Sequence, residues 1–176
     1  MCQAPGRSWG LTVAGRDDCP ANAVLDYAGY LMTDKYNAAA RSEHICVDRS
    51  TASGAEWGAT GGDATSGTLF PVETVGMQLS PSSGYGDYSE ITCAQCSSSA
   101  GPTYVRWGRS SCPPAATLLY SGRAAGSHRS QNGGGHNYVC LHDSPKYFHN
   151  DTTQAASGGR LYRAEYETSN KGIKTF

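Results

Sequence analysis

Residues 126–140 read GSHRSQNGGGHNYVC. Within them His128, Asn132, His136 and Asn137 bracket Gly133, Gly134 and Gly135. Histidine and asparagine offer hydrogen-bond donors and acceptors on short, stiff side chains. Glycine lets a backbone approach a ligand closely, at a cost in chain entropy. Together these residue types suit non-covalent recognition of sugar hydroxyls. A sugar site also needs an aromatic face against the apolar side of the ring. Trp57, in the glycine-rich loop GAEWGATGGDATSG (54–67), is the candidate for that face, whereas Trp107 in VRWGR is expected in the core. A calcium ion would need carboxylate and carbonyl oxygens. Asp143, Glu165 and Glu167 are the candidates near the loop in sequence. The plainer reading of the same stretch is a tight hairpin loop whose histidines face water.

Other chemistries are weaker. Cys93-Ala94-Gln95-Cys96 has no second ligand pair at zinc-finger spacing and no βαβ context for a redox motif. Ser, His and Glu are all present, but no nucleophile elbow, HExxH or EF-hand pattern occurs. The expectation is therefore a binding protein and not an enzyme.

Whether the glycine stretch is functional depends on whether the chain holds a second copy of it. Cys2, Cys19 and Cys46 are separated by 17 and 27 positions; Cys96, Cys112 and Cys140 are separated by 16 and 28. AGRDDCPANAVLDYAGYLM lies over WGRSSCPPAATLLYSGRAA. Gly15-Arg16, Cys19-Pro20, Tyr27 and Gly29 then match Gly108-Arg109, Cys112-Pro113, Tyr120 and Gly122. EHICVD lies over NYVCLH, and TLFPVE (68–73) over RLYRAE (160–165). The chain reads as two repeats, 2–95 and 96–176, forming one compact domain with a pseudo-twofold axis. Features shared by both repeats are expected to be architecture, and features of one repeat are candidates for function. Gly133, Gly134 and Gly135 face Ala39, Ala40 and Arg41, so the glycine triple belongs to the second repeat alone. Glu165 faces Glu73, which leaves Glu167 the better ligand candidate.

The elements that must hold this loop read as short strands. TYVRWG, TLLYSG, NYVCL and RLYRAEYE carry aromatic or β-branched residues and are bounded by Gly, Pro and Ser. ANAVLDYAGYLM has helical propensity, but its repeat partner carries Thr and a mid-run Gly, which favours strand in both. An all-β, disulfide-stapled fold follows. Bridges within each repeat, Cys19–Cys46 and Cys112–Cys140, are expected because they close loops of nearly equal length. Cys2 would then reach Cys93 or Cys96, and one thiol would remain for a disulfide-linked homodimer.

The 176 residues carry a formal net charge of −1 with no basic block, which argues against nucleic acid. Hydrophobic residues are 38%, with 22 Gly, 11 Tyr and 7 Cys, a profile of a thin core held by disulfides in an oxidising compartment. Asn150-Asp151-Thr152 is a glycosylation pattern consistent with secretion. No apolar run is long enough for membrane insertion. Met1-Cys2 leads directly into a polar stretch with no signal-peptide pattern, so secretion implies a leader already removed.

TYVRWGRSSCP, LLYSGRAAGSH, GGGHNYVCL and LYRAEYE, in that order, resemble the C-terminal non-collagenous domain of short-chain, spongin-type collagens. YAGYLM, ICVD, GTLFPVE and EITCAQC resemble the other half of that domain. The likeness covers nearly the whole chain with the two halves in exchanged order, as in a circular permutation. The family carries a CxxC in each half; here only Cys93–Cys96 is complete, and Cys2 stands for the second cysteine of the other pair. No collagen triplets are present. A stand-alone domain of this kind is similar to galactose-specific lectins of sea anemones. That likeness implies a secreted protein binding terminal galactose-type glycans, with calcium as an optional cofactor. The collagen side of the resemblance implies the alternative, an extracellular-matrix structural or assembly module.

Overall fold

A computed structural model describes residues 6, 8–38, 43–51, 69–77, 86–128, 130, 137–149 and 158–164. Among them the regular structure is β-strand, with one short 3-10 turn at Arg49–Thr51. The strands are β1 (Trp9–Ala14), β2 (Val24–Thr33), β3 (Ile45–Asp48), β4 (Phe70–Val75) and β5 (Ser89–Ser98). They continue with β6 (Gly122–Gly126), β7 (Val139–His142), β8 (Tyr147–His149) and β9 (Gly159–Arg163). The all-β expectation holds, and ANAVLDYAGYLM is strand rather than helix.

One sheet contains every strand, in the order β3-β2-β4-β9-β6-β7-β1-β5-β8, and β5 pairs in addition with β2 and β4. Those extra pairings close the sheet on itself. β5 is the hub of the closure. Antiparallel β1 meets it from Trp9↔Ser98 to Ala14↔Cys93, and antiparallel β2 from Val24↔Ser97 to Tyr30↔Thr92. The β2–β5 register shifts between Leu25 and Tyr27. Asp26 at that shift accepts the Ser97 hydroxyl at 2.8 Å. With partners on both edges, β5 is buried along most of its length, and Cys93 and Cys96 are fully covered.

Two parallel contacts join the two ends of the chain. β4 pairs with β9 from Val72↔Gly159 to Val75↔Tyr162, and β1 meets β7 at Ala14↔Leu141. The main core draws on both: Leu31, Val72 and Ile91 pack with Leu141 and Leu161. Arg160 of β9 is also buried, with its guanidinium 3.5 Å from the centre of the Tyr36 ring. That places the cation on an aromatic face.

The hairpins β2–β3 and β6–β7 share a register. Gly29 faces Asp48 and Leu31 faces Cys46; Gly122 faces His142 and Ala124 faces Cys140. Glycine is required at both leading positions. A Cβ on Gly29 would sit 1.8 Å from the Val47 carbonyl oxygen, and one on Gly122 would sit 2.3 Å from that of Leu141.

The disulfides correct the expected pairing. Cys19 bonds Cys96 and Cys46 bonds Cys93, so neither Cys93 nor Cys96 is left for Cys2. Cys112 and Cys140 are unbonded, not joined to each other. The physical reason is the position of β5. It pairs with both β1 and β2, so the turn between those strands brings Cys19 to β5 rather than to β3. Cys46 and Cys93 lie on the two strands that flank Gly29, with Cα atoms 5.7 Å apart. Equal loop lengths carried no information about which strands would be neighbours.

Two expected strands do not form. TYVRWG is irregular, and TLLYSG is irregular up to Ser121, with β6 starting at Gly122. The segments aligned with them in the sequence, β1 and the start of β2, are held by hydrogen bonds to β5. No strand among the described residues does that for 102–121. Trp107 is accordingly 46% exposed and not in the core.

Candidate functional site

The glycine stretch lies in sequence between β6 and β7, which pair antiparallel, and residues 129 and 131–136 within it lie outside the described residues. Its two described flanks carry the candidate site. Gly126 ends β6, and a Cβ there would lie 2.8 Å from a ring carbon of Tyr138. The Tyr138 ring therefore rests on a position without a side chain, yet remains 62% exposed. In the other direction Gly126 pairs with Tyr162 of β9. The His128 ring packs on Tyr162, with ring centroids 4.9 Å apart and tilted by 59°. Ser130 fixes the imidazole. Its N–H donates to His128 Nδ1 at 3.3 Å, and its hydroxyl lies 2.8 Å from the same atom. Tyr138, His128 and Tyr162 thus gather three rings about one glycine.

Asn137 has a different occupation. Its Oδ1 accepts the His44 backbone N–H at 2.9 Å and His44 Nδ1–H at 3.1 Å. His44 is 7% exposed, just before β3. Burial holds its imidazole below the usual histidine range, and the Asn137 bonds partly offset that. Asn137 ties one hairpin to the other, so its carbonyl is committed within the fold.

Asp143 lies at the opposite end of β7 from Asn137. Its Oδ2 accepts the Ser121 hydroxyl at 2.6 Å, and its N–H donates to the Ser121 carbonyl at 3.1 Å. It closes the base of the hairpin. Glu165 and Glu167, like Trp57, Asn132 and His136, lie outside the described residues. Among the described residues no three His, Cys, Asp or Glu side chains converge as a metal site.

A second cluster is electrostatic. Arg16 makes two 2.7 Å bonds to Asp18, and Lys146 reaches Asp17 at 2.5 Å and Asp18 at 3.2 Å. The Arg16 bond, then Lys146, hold the Asp18 carboxyl down at about 2. Arg16 also donates to the Ser144 carbonyl at 3.1 Å. Beside it the His142 ring stacks on Tyr120 at 5.3 Å, and its Nδ1 accepts the Ser144 N–H at 2.9 Å. These bonds join the β1–β2 turn to the β7–β8 turn and engage both carboxylates.

The third feature is a groove of about 730 Å³ between residues 100–109 and 115–124. Trp9 and both unbonded cysteines line it. Tyr104, Val105, Trp107 and Leu118 on its walls are 41–65% exposed.

The structure therefore brings His128 and Asn137 to the two ends of one loop and sets Asp143 apart. Sequence reasoning missed Tyr138 and Tyr162. Tyr138 had a signal: the sequence alignment of the two halves places it over His44, so it differs between them just as the glycines do. Comparison with protein-family models, with curated proteins and with solved structures finds no match.

Proposed function

We propose that this chain is a secreted, non-enzymatic carbohydrate-binding protein for terminal galactose-type sugars. It is further proposed to be built from two diverged copies of one unit, akin to the non-collagenous domain of spongin-type collagens. The Tyr138 ring carries the sugar reading: a large, exposed aromatic face lies on Gly126, at the flank of a polar glycine loop. Such a face packs against the apolar side of a pyranose. His128 sits beside it on Tyr162 and supplies polar contacts to the sugar hydroxyls. The matched hairpin registers support the two-copy reading, and the two disulfides are consistent with an extracellular location. No helix among the described residues is long and apolar enough to cross a membrane.

Calorimetric titration with galactose, lactose and glucose, each with and without a chelator, tests the reading. Saturable binding of galactose and lactose over glucose supports it. Loss of that binding on chelation brings calcium into the site, and no binding to any sugar rejects the lectin reading. The second reading, a matrix assembly module, is favoured by the open groove with its apolar walls and unbonded cysteines. It expects no sugar response.

A further inference from the structure

The groove beside Cys112 has a filled counterpart in the same molecule. In the first repeat β5 lies between β1 and β2: Leu11 pairs with Cys96 on one side and Leu25 pairs with Cys96 on the other. The Cys96 side chain bonds Cys19, from the turn joining those two strands. In the second repeat the matching segments are 102–107 and 117–121, and the matching cysteine is Cys112. Both segments have strand-like sequences, yet both are irregular and expose Tyr104, Val105, Trp107 and Leu118. The space between them is the 730 Å³ groove, and Cys112 lines it. Among the described residues no strand stands between these segments as β5 stands between β1 and β2.

We propose that the residues around Cys2 dock in this groove as an added strand and that Cys2 forms a disulfide with Cys112. Cys2 stands where Cys96 stands in the other repeat, 17 positions before Cys19 as Cys96 is 16 before Cys112. Reach permits it. Trp9 at the start of β1 already lines the groove, and Cys2 is seven residues upstream of Trp9. Seven extended residues span up to about 24 Å. Docking would pair the backbone of 103–107 and 117–120 with a strand, as β5 pairs with β1 and β2, and would cover the apolar walls. The bond forms by thiol–disulfide exchange with a small-molecule disulfide such as oxidised glutathione. One thiolate attacks that disulfide and releases a thiol. The second cysteine then displaces the other half, so that two electrons and two protons leave the protein. With Cys19–Cys96 and Cys46–Cys93 in place, a Cys2–Cys112 bond leaves Cys140 as the one thiol among the seven cysteines. The inference is independent of the sugar reading.

The oxidatively refolded chain, alkylated without reduction and then digested, tests this by peptide mass spectrometry. The expected result is a Cys2–Cys112 cross-linked peptide and one alkylated cysteine, Cys140. Alkylation of Cys2 and Cys112 in the folded monomer overturns the proposal. So does a covalent dimer through either residue, the outcome that the odd cysteine first suggested. Cys2→Ser should raise the alkylated count from one to two by freeing Cys112. Hydrogen exchange separates docking from a mere tether. Amides at 103–107 and 117–121 should exchange at least tenfold more slowly in the oxidised wild type than in Cys2→Ser. Equal rates overturn the added strand.

Discussion

The Tyr27 hydroxyl donates to the Cys46 carbonyl at 3.0 Å, tying β2 to β3. Tyr120, aligned with it in the sequence, makes the same bond to the Cys140 carbonyl at 3.3 Å. Burial pushes the Tyr120 phenol above the usual range. Tyr27→Phe and Tyr120→Phe should each lower unfolding free energy by about 1 kcal/mol, the net worth of one such bond. Urea denaturation of the two variants reads this. If neither moves the midpoint, the shared bond is incidental to the hairpins.

Asn137→Ala should destabilise by about 1–3 kcal/mol, because it strips the acceptor from a buried backbone N–H and from a buried imidazole. His128→Ala, on an exposed side chain, should change stability by less than about 0.5 kcal/mol. Thermal melts of the pair separate a tie within the fold from a surface group. Equal, small effects would show that Asn137 does not hold His44.

His44 makes stability depend on pH. Its folded pKa is depressed by burial, while the unfolded chain titrates near 6.5. The unfolded state therefore binds more protons below that value. The stabilising contribution is complete above about 6.5 and is lost as pH falls through the lower folded pKa. His142, also shifted down by burial and then by Arg16, acts in the same direction. The urea midpoint should fall between pH 7.5 and pH 5, and His44→Gln should flatten the decline. An unchanged slope in that variant would remove His44 as the cause.

Tyr138→Ala should weaken galactose binding by roughly tenfold, the equivalent of about 1.4 kcal/mol of lost stacking. Tyr138→Phe should retain most of the affinity, since the ring face is kept. Calorimetry on both, with far-ultraviolet circular dichroism as the folding control, gives the answer. Full affinity in a folded Tyr138→Ala protein would exclude this face of the hairpin.

The fold class was legible because strand signals are local. Val24–Thr33 reads as strand from the Thr and mid-run Gly of its aligned segment, and the structure carries a glycine at 29 because the Val47 carbonyl leaves no room for a side chain. The pairing of the strands on either side of the glycine stretch, β6 and β7, follows the same local strand signals. The tie from Asn137 to His44 was not legible, because nothing in the neighbourhood of Asn137 announces a residue far away in sequence that the fold brings to 2.9 Å.

The amino-acid sequence alone determined the β character, the two sets of matched cysteines and the glycine-rich tip, all properties of neighbouring residues. Tertiary structure alone decided which cysteines meet, which strand-like segments become strands and which polar groups face water. A strand exists only where a partner supplies hydrogen bonds, and a disulfide only where two Cα atoms come within about 6 Å. Both conditions depend on β5, whose place between β1 and β2 is set by pairing across the whole chain.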